Sequence, residues 1–226
     1  ALIKDESSLS KLLPGASLIE ELVAIEKELS VVAARNEQGE IATFPLVEME
    51  FNEEANLVEF LLCPARVEAE VETEADQLAR KVIEAFDICG LLAVELLWTK
   101  SGDILVNEVA PRPHNSGHHT IESCLTSQFQ QHLRGVLNLP LGSTKATSPA
   151  VMLNLLGEPG HTGPVHYQGF EDCLALEGVY IHLYGKAITK PFRKMGHITV
   201  LGESTEEAIA KAIKVKGMLK VISLSS

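Results

Sequence analysis

The sequence predicts an α+β fold in which antiparallel hairpins alternate with amphipathic helices, followed by a smaller strand-rich unit. Three observations carry that prediction. Short apolar runs of strand length recur with Gly, Asn or Pro between them. Two longer stretches instead follow the i, i+3, i+4, i+7 spacing of a helix face. After Gly142 the composition turns to Ser, Thr, Lys and Pro, which marks a boundary between residues 1–142 and 143–226.

In chain order, residues 5–13 read as a short helix stopped by Pro14-Gly15. Residues 28–35 and 41–47 are apolar strands around the Gly-containing turn 36–40, a predicted hairpin. Residues 52–56 are a polar loop, and 57–62 form another strand before Pro64. Thr73 opens a helix with Ala75, Leu78, Ala79, Val82, Ile83 and Phe86 on one face and Gly90 as its stop. Residues 91–110 contain two apolar runs around Ser101-Gly102. Thr120 caps a second helix with Ile121, Leu125, Phe129, Leu133 and Val136 on one stripe. Strands are expected at 150–156, 179–184 and 197–201. A last helix then opens with Ser204 and Glu207 as a capping box and buries Ala208, Ile209, Ala212, Ile213 and Leu219.

A chain of 226 residues with 46% hydrophobic and 22% charged residues is a globular protein with a sizeable core. No apolar run approaches the roughly 18 residues of a membrane span, so no membrane partner is expected. A net charge of −12 argues against a nucleic-acid surface. The four cysteines have no CxxC spacing and read as reduced thiols of a cytoplasmic protein. The opening ALIKDESSL, without an initiator Met, reads as the start of a fragment of a longer protein.

The residues 91–110 carry the chemistry. If the turn centres on Ser101-Gly102, partners sum to 203, and Glu95 faces Glu108 with Cβ atoms about 5 Å apart. Two carboxylates facing each other from apolar strands repel and lose hydration unless a cation lies between them. A solvent-facing edge hairpin is the plain alternative; the near-continuous apolar flanks favour strands buried on both faces, with a magnesium ion bridging the pair. Arg112, His114, Asn115, Ser116, Gly117 and His118 follow directly, where a scaffold presents functional groups. Lys186, Lys190, Arg193 and Lys194 are a basic run in an acidic chain, either a solvated face or a phosphate clamp. Glu20, Glu21 and Glu28 are surface acids, or else part of a linker that meets a purine edge and a ribose.

The run NEVAPRPHNSGHHTIESCLTSQFQQHLRGVLNLPLG, residues 107–142, closely resembles the 5-(carboxyamino)imidazole ribonucleotide synthases, ATP-grasp ligases of purine biosynthesis. Weaker matches at 20–23, 28, 150–157, 184–186 and 193–197 extend the resemblance over nearly the whole chain. It implies the C-terminal part of an ATP-grasp domain followed by a small C-terminal domain. Glu95 and Glu108 would be the magnesium ligands. Glu20, Glu21, Leu22, Val23, Glu28, Asn107 and Glu108 would contact ATP. Arg112, His114 and Asn115 would face bicarbonate or the carboxyphosphate made from it. Lys186, Arg193 and Lys194 would hold the phosphate of aminoimidazole ribonucleotide.

The implied reaction is ATP-dependent carboxylation of that ribonucleotide with bicarbonate, in a homodimer. The family's Gly-rich N-terminal domain and the loop that covers the ATP phosphates have no counterpart here, so the missing N-terminal part of the same enzyme is an expected partner, and this chain alone is expected not to turn over. Another ATP-grasp carboxylase or transformylase, or a non-catalytic nucleotide-binding module, are the rival readings.

Overall fold

The computed structural model describes residues 3, 5–12, 14–52 and 57–224. Residues 53–56 of the expected loop and Leu13 of the first expected helix lie outside them. What remains of that helix is a 3-10 turn, Glu6–Lys11, capped by the Asp5 side chain, which accepts from the Ser8 amide.

The strands β1 (Ile25–Arg35), β2 (Ile41–Thr43), β3 (Val47–Asn52) and β4 (Leu57–Cys63) precede helix α1 (Ala69–Ala85). Helix α1 starts four residues before Thr73 and buries Ala75, Ala79 and Ile83, as the periodicity predicts. Gly90 does not end it. The chain turns at Asp87, and Gly90, at φ +112°, opens β5 (Gly90–Thr99), where a Cβ would strike the His132 ring. β6 (Ile104–Ala110) completes the hairpin.

The expected single helix after Thr120 is two: α2 (Thr120–Ser123) and α3 (Gln128–Val136). Cys124 bridges to Ala146, and Ser127 starts afresh with a capping box to Gln130, so the first helix cannot continue. The expected apolar stripe is not core. Leu125, Phe129, Leu133 and Val136 are all exposed.

The C-terminal segment adds β7 (Ala150–Leu156), β8 (Gly163–Gln168), α4 (Phe170–Leu174), β9 (Val179–Leu183), β10 (Ile188–Thr189), β11 (Lys194–Leu201), α5 (Thr205–Met218) and β12 (Lys220–Ser223). Strands β8, β10 and β12 were not foreseen; they form a separate three-stranded sheet. Ser204 caps α5 at the Glu207 amide, but the Glu207 carboxylate reaches Glu203, one residue before the expected box partner. Leu219 is buried just past the helix, whereas Ile213 is exposed.

Nine strands form one antiparallel sheet, ordered β6-β5-β1-β3-β4-β7-β11-β9, with β2 on β1. β7 pairs with β4, so the sheet runs straight through the linker at 142–149. Strand alternation gives it two distinct faces. Leu29, Val31, Ala33, Leu92, Val94 and Leu96 pack with Ala75, Ala79 and Ile83 of α1. Leu62, Val151, Leu153 and Val200 continue that face under Ala208, Ala212 and Val215 of α5. The opposite face carries Val32, Ala34, Phe44, Leu91, Ala93 and Ala110 at one end and Val47, Met49, Leu61 and Met152 in the middle. The functional residues stand on this second face.

Candidate functional site

Strand pairing sets Ser30 of β1 opposite Glu95 of β5, and Glu95 opposite Glu108 of β6. Three polar side chains thus form a row across one sheet face. The register is instructive. Near the turn partners sum to 202, as in Leu97 with Leu105, because Lys100, Ser101 and Gly102 make a three-residue loop closed by Thr99 and Asp103. A bulge at Asn107 restores 203 at the glutamates. The facing pair is therefore real, while the two-residue turn is not.

β6 is an edge strand, which corrects the expectation of burial on both faces: Glu108 is exposed and Glu95 partly buried. Burial, then the Glu108 charge, then Glu28 push the Glu95 carboxyl up to about 7, against a weaker opposing pull from Lys194. Glu28 lies two residues before Ser30 on the same face, and burial raises its carboxyl too. Ligand atoms of Glu95, Glu108 and His114 lie within 4.8 Å of one another. A buried carboxylate crowded by two others is the chemistry that a hard, oxygen-seeking dication relieves, so the residues present fit magnesium.

The loop after β6 is locked from beneath by Gln128, the first residue of α3, which is completely buried. Its Oε1 accepts from the His114 amide at 2.8 Å, and its Nε2 donates to the His114 carbonyl at 2.8 Å and to His118 Nδ1 at 2.9 Å. Gly117 is needed there, since a Cβ would overlap the Gln128 amide. So held, His114 turns Nε2 to Glu95 Oε1 at 3.5 Å. Burial, then Arg112 and Lys194, hold the His114 ring down at about 4, so it is neutral at pH 7. Asn115 opens the short 3-10 turn Asn115–Gly117, and Arg112 is exposed beside the cluster, its guanidinium donating to the Pro113 carbonyl.

His118 opens a stack of rings. Phe129 lies 5.9 Å to one side, and His197 of β11 lies 4.4 Å to the other, with His182 of β9 a further 4.4 Å on. His182 Nε2 meets Glu122 of α2 at 2.7 Å, and Tyr184 bonds His197 Nδ1 at 3.1 Å. The stack ties the helical loop region to the C-terminal strands.

Of the basic run, Lys194 feels the Glu95 charge, though no ion pair joins them among the described residues. Desolvation lowers its ammonium, Glu95 raises it, and Arg112 and Lys186 lower it again. Lys186 donates to the Lys194 carbonyl and sits over the Tyr184 ring. Arg193 points its guanidinium at the Ile188 carbonyl at 2.8 Å, and Lys190 is exposed. Glu20, Glu21 and Leu22 lie on an exposed stretch without regular structure, next to the partly buried Val23 and apart from the cluster's own contacts. Asn107 is exposed at the bulge. Ser30, Gln128, Glu122 and His182 were not foreseen. The signal for Ser30 was a lone hydroxyl inside the apolar run LSVVAA.

Comparison with known proteins matches residues 2–129 to the ATP-grasp domain and residues 150–211 to the phosphoribosylaminoimidazole carboxylase C-terminal domain. The N5-carboxyaminoimidazole ribonucleotide synthase of Bacillus subtilis is 41% identical over 212 residues, covering 92% of this chain and 54% of that protein. The crystal structure of N5-carboxyaminoimidazole ribonucleotide synthetase from Thermotoga maritima superposes with a TM-score of 0.91 at 50% identity, covering 98% of this chain and 59% of that one. An Aspergillus clavatus N5-carboxyaminoimidazole synthase, solved with ADP and 5-aminoimidazole ribonucleotide, gives a TM-score of 0.76 at 34% identity, covering 86% of this chain and 52% of that one. The chain spans about half the length of these relatives.

Proposed function

Because this chain belongs to the ATP-grasp family, in the branch that carries the phosphoribosylaminoimidazole carboxylase C-terminal domain, we propose that its protein carboxylates 5-aminoimidazole ribonucleotide with bicarbonate at the expense of ATP. One observation carries the reading. Glu95, Glu108 and His114 bring ligand atoms within 4.8 Å of one another, and Lys194 of the C-terminal segment is near enough for its charge to be felt at Glu95, which supports a metal-held nucleotide and an anionic substrate meeting there.

A bicarbonate oxygen bonds to the γ-phosphorus as the bond to the ADP oxygen breaks, giving carboxyphosphate. That compound releases phosphate, and its carboxyl carbon passes as carbon dioxide to the exocyclic amine, which loses a proton as the C–N bond forms. Glu95 and Glu108 would hold the magnesium ion, which neutralises phosphate charge during such a transfer. Glu20, Glu21, Leu22 and Val23 would meet adenine, Glu28 the ribose, and Asn107 with Glu108 the nucleotide. Arg112, His114 and Asn115 orient the bicarbonate. Positioning and charge stabilisation are most of what this chemistry asks of a protein. Lys186, Arg193 and Lys194 hold the ribonucleotide phosphate.

Functionally the chain divides at 142/143, with nucleotide contacts before and the substrate-phosphate clamp after. The part of the relatives' length that it does not span would supply the rest of the nucleotide cleft. We place the protein in the cytoplasm, where its four free cysteines stay reduced, as a homodimer whose exposed α2–α3 stripe is the natural contact. No helix among the described residues is long and apolar enough to cross a membrane.

The test is phosphate release by the intact protein. It should require both bicarbonate and aminoimidazole ribonucleotide. Equal release with formate or with another amine would move the protein to a different ATP-grasp reaction.

A further inference from the structure

Ser30 is completely buried in the centre of β1, between Leu29 and Val31, Val32, Ala33 and Ala34. A buried strand serine ordinarily returns its hydroxyl to nearby backbone. Here the hydroxyl donates at 2.8 Å to Ser116 Oγ, 86 residues away and itself buried. Ser116 Oγ lies 2.9 Å from His114 Nδ1, and the Ser116 amide points at the same nitrogen at 3.4 Å.

We infer that Ser30 and Ser116 fix the tautomer of His114 with its proton on Nε2, so that the ring presents an N–H to the acidic pair and is not a metal ligand. A backbone N–H can only donate, so Nδ1 must offer a lone pair to the Ser116 amide. The Ser116 hydroxyl already accepts from Ser30, which leaves its own proton for the same lone pair. A neutral imidazole with a bare Nδ1 carries its proton on Nε2, the atom 3.5 Å from Glu95 Oε1. The same bond excludes the charged ring, because an imidazolium carries protons on both nitrogens and has no lone pair for the Ser116 amide.

By distance alone Glu95, Glu108 and His114 form a three-ligand cluster. A protonated Nε2 has no lone pair to give, so the donor set is oxygen only, as a small hard dication prefers. The Nε2–H remains available to an anion: the Glu95 carboxylate, and the oxygens of bicarbonate when it enters. That last role rests on the proposed carboxylation; the tautomer does not. Ser30 and Ser116 are then positioning residues that act through His114.

Two-bond 1H–15N spectra of the histidine rings in 15N-labelled protein read the tautomer directly, with and without magnesium chloride. The expected pattern for His114 is a bare Nδ1 and a protonated Nε2, unchanged as magnesium is added. Ser116→Ala and Ser30→Ala should each turn it into a tautomer mixture, while Ser30→Thr, which keeps the hydroxyl, should hold the wild-type pattern. In the intact protein Ser116→Ala should lower kcat about tenfold with the KM for ATP unchanged. An Nδ1–H form in the wild type, loss of the Nε2 proton on adding magnesium, or an unaltered tautomer in both alanine variants overturns the inference. Because the spectra need no turnover, they stand or fall separately from the carboxylation assay.

Discussion

The two faces of the nine-stranded sheet bury different chemistry. Under α1 and α5 the face is apolar, and its buried carboxylate, Glu48, is answered within the chain. Lys27 and Arg66 both bond it, and Arg66 also reaches Glu50. On the opposite face stand buried hydroxyls and imidazoles and a half-buried carboxylate, Glu95, which has no cationic pair among the described residues, only the neutral His114 ring at 3.5 Å. A charge that must only be stable is paired inside the protein. Under the proposed function, the Glu95 charge is left for a cation that arrives with the substrate.

The contrast is breakable at several points. The largest effect is expected at Glu108→Gln, which should cost the intact protein about 10²–10³-fold in bicarbonate-dependent phosphate release. Its melting temperature should not fall, since an exposed like charge is removed; activity within tenfold of wild type would sink the magnesium assignment. On the helix-covered face, Ile83→Ala should cost about 2–5 kcal/mol of stability in urea titrations. The folded fraction should keep the His114 ring spectrum; a changed spectrum would mean the faces are coupled.

Acid separates the faces next. Burial, then His118 and His182, lower His197 from the ordinary 6.5 to about 3. Its folded value lies below its unfolded one, so the unfolded chain binds the proton first. The stability it contributes is present above pH 6.5 and is lost as pH falls from there toward 3. Glu48 acts in a lower window. Burial alone would raise it, but bonds from Arg66 and Lys27 hold it below 4.5, so its contribution is lost only as pH drops below that value. His114, His118 and His119, each lowered to about 4, add to the same slope, so urea midpoints measured from pH 7 to 4 should already decline by pH 5.5 and His197→Phe should remove only part of that decline; an unaltered slope would remove His197 as a contributor. The smallest effect belongs to the exposed stripe. Leu133→Lys should change monomer stability by no more than about 0.5 kcal/mol. In sedimentation it should shift a dimer toward monomer, and a dimer unaffected by it would need another contact surface.

How far the sequence reached depends on the range of the interaction. Helix α1 announced itself because Ala75, Ala79 and Ile83 recur at helical spacing and are core. The Ile121–Val136 stripe has the same spacing and misleads, because spacing reports a shared face and not what covers it. The capping signal S-x-x-Q at Ser127–Gln130, which splits that segment, was readable in the chain. The separate sheet of β8, β10 and β12 was not, since β10 has two residues and β12 four, too few to show a period, and β8 finds its partner β12 about fifty residues on.

Local chemistry therefore placed two glutamates opposite each other on a hairpin, followed by a loop of His, Asn and Arg, and those features depend only on neighbours in sequence. Tertiary structure alone decided what stands around them. The pairing of β1 with β5 puts Ser30 beside Glu95, Gln128 locks the loop, and the sheet carries β11 round so that the Lys194 charge is felt at Glu95. These partners are joined by strand pairing and packing across tens of residues, and such contacts leave no period or motif in the chain that makes them.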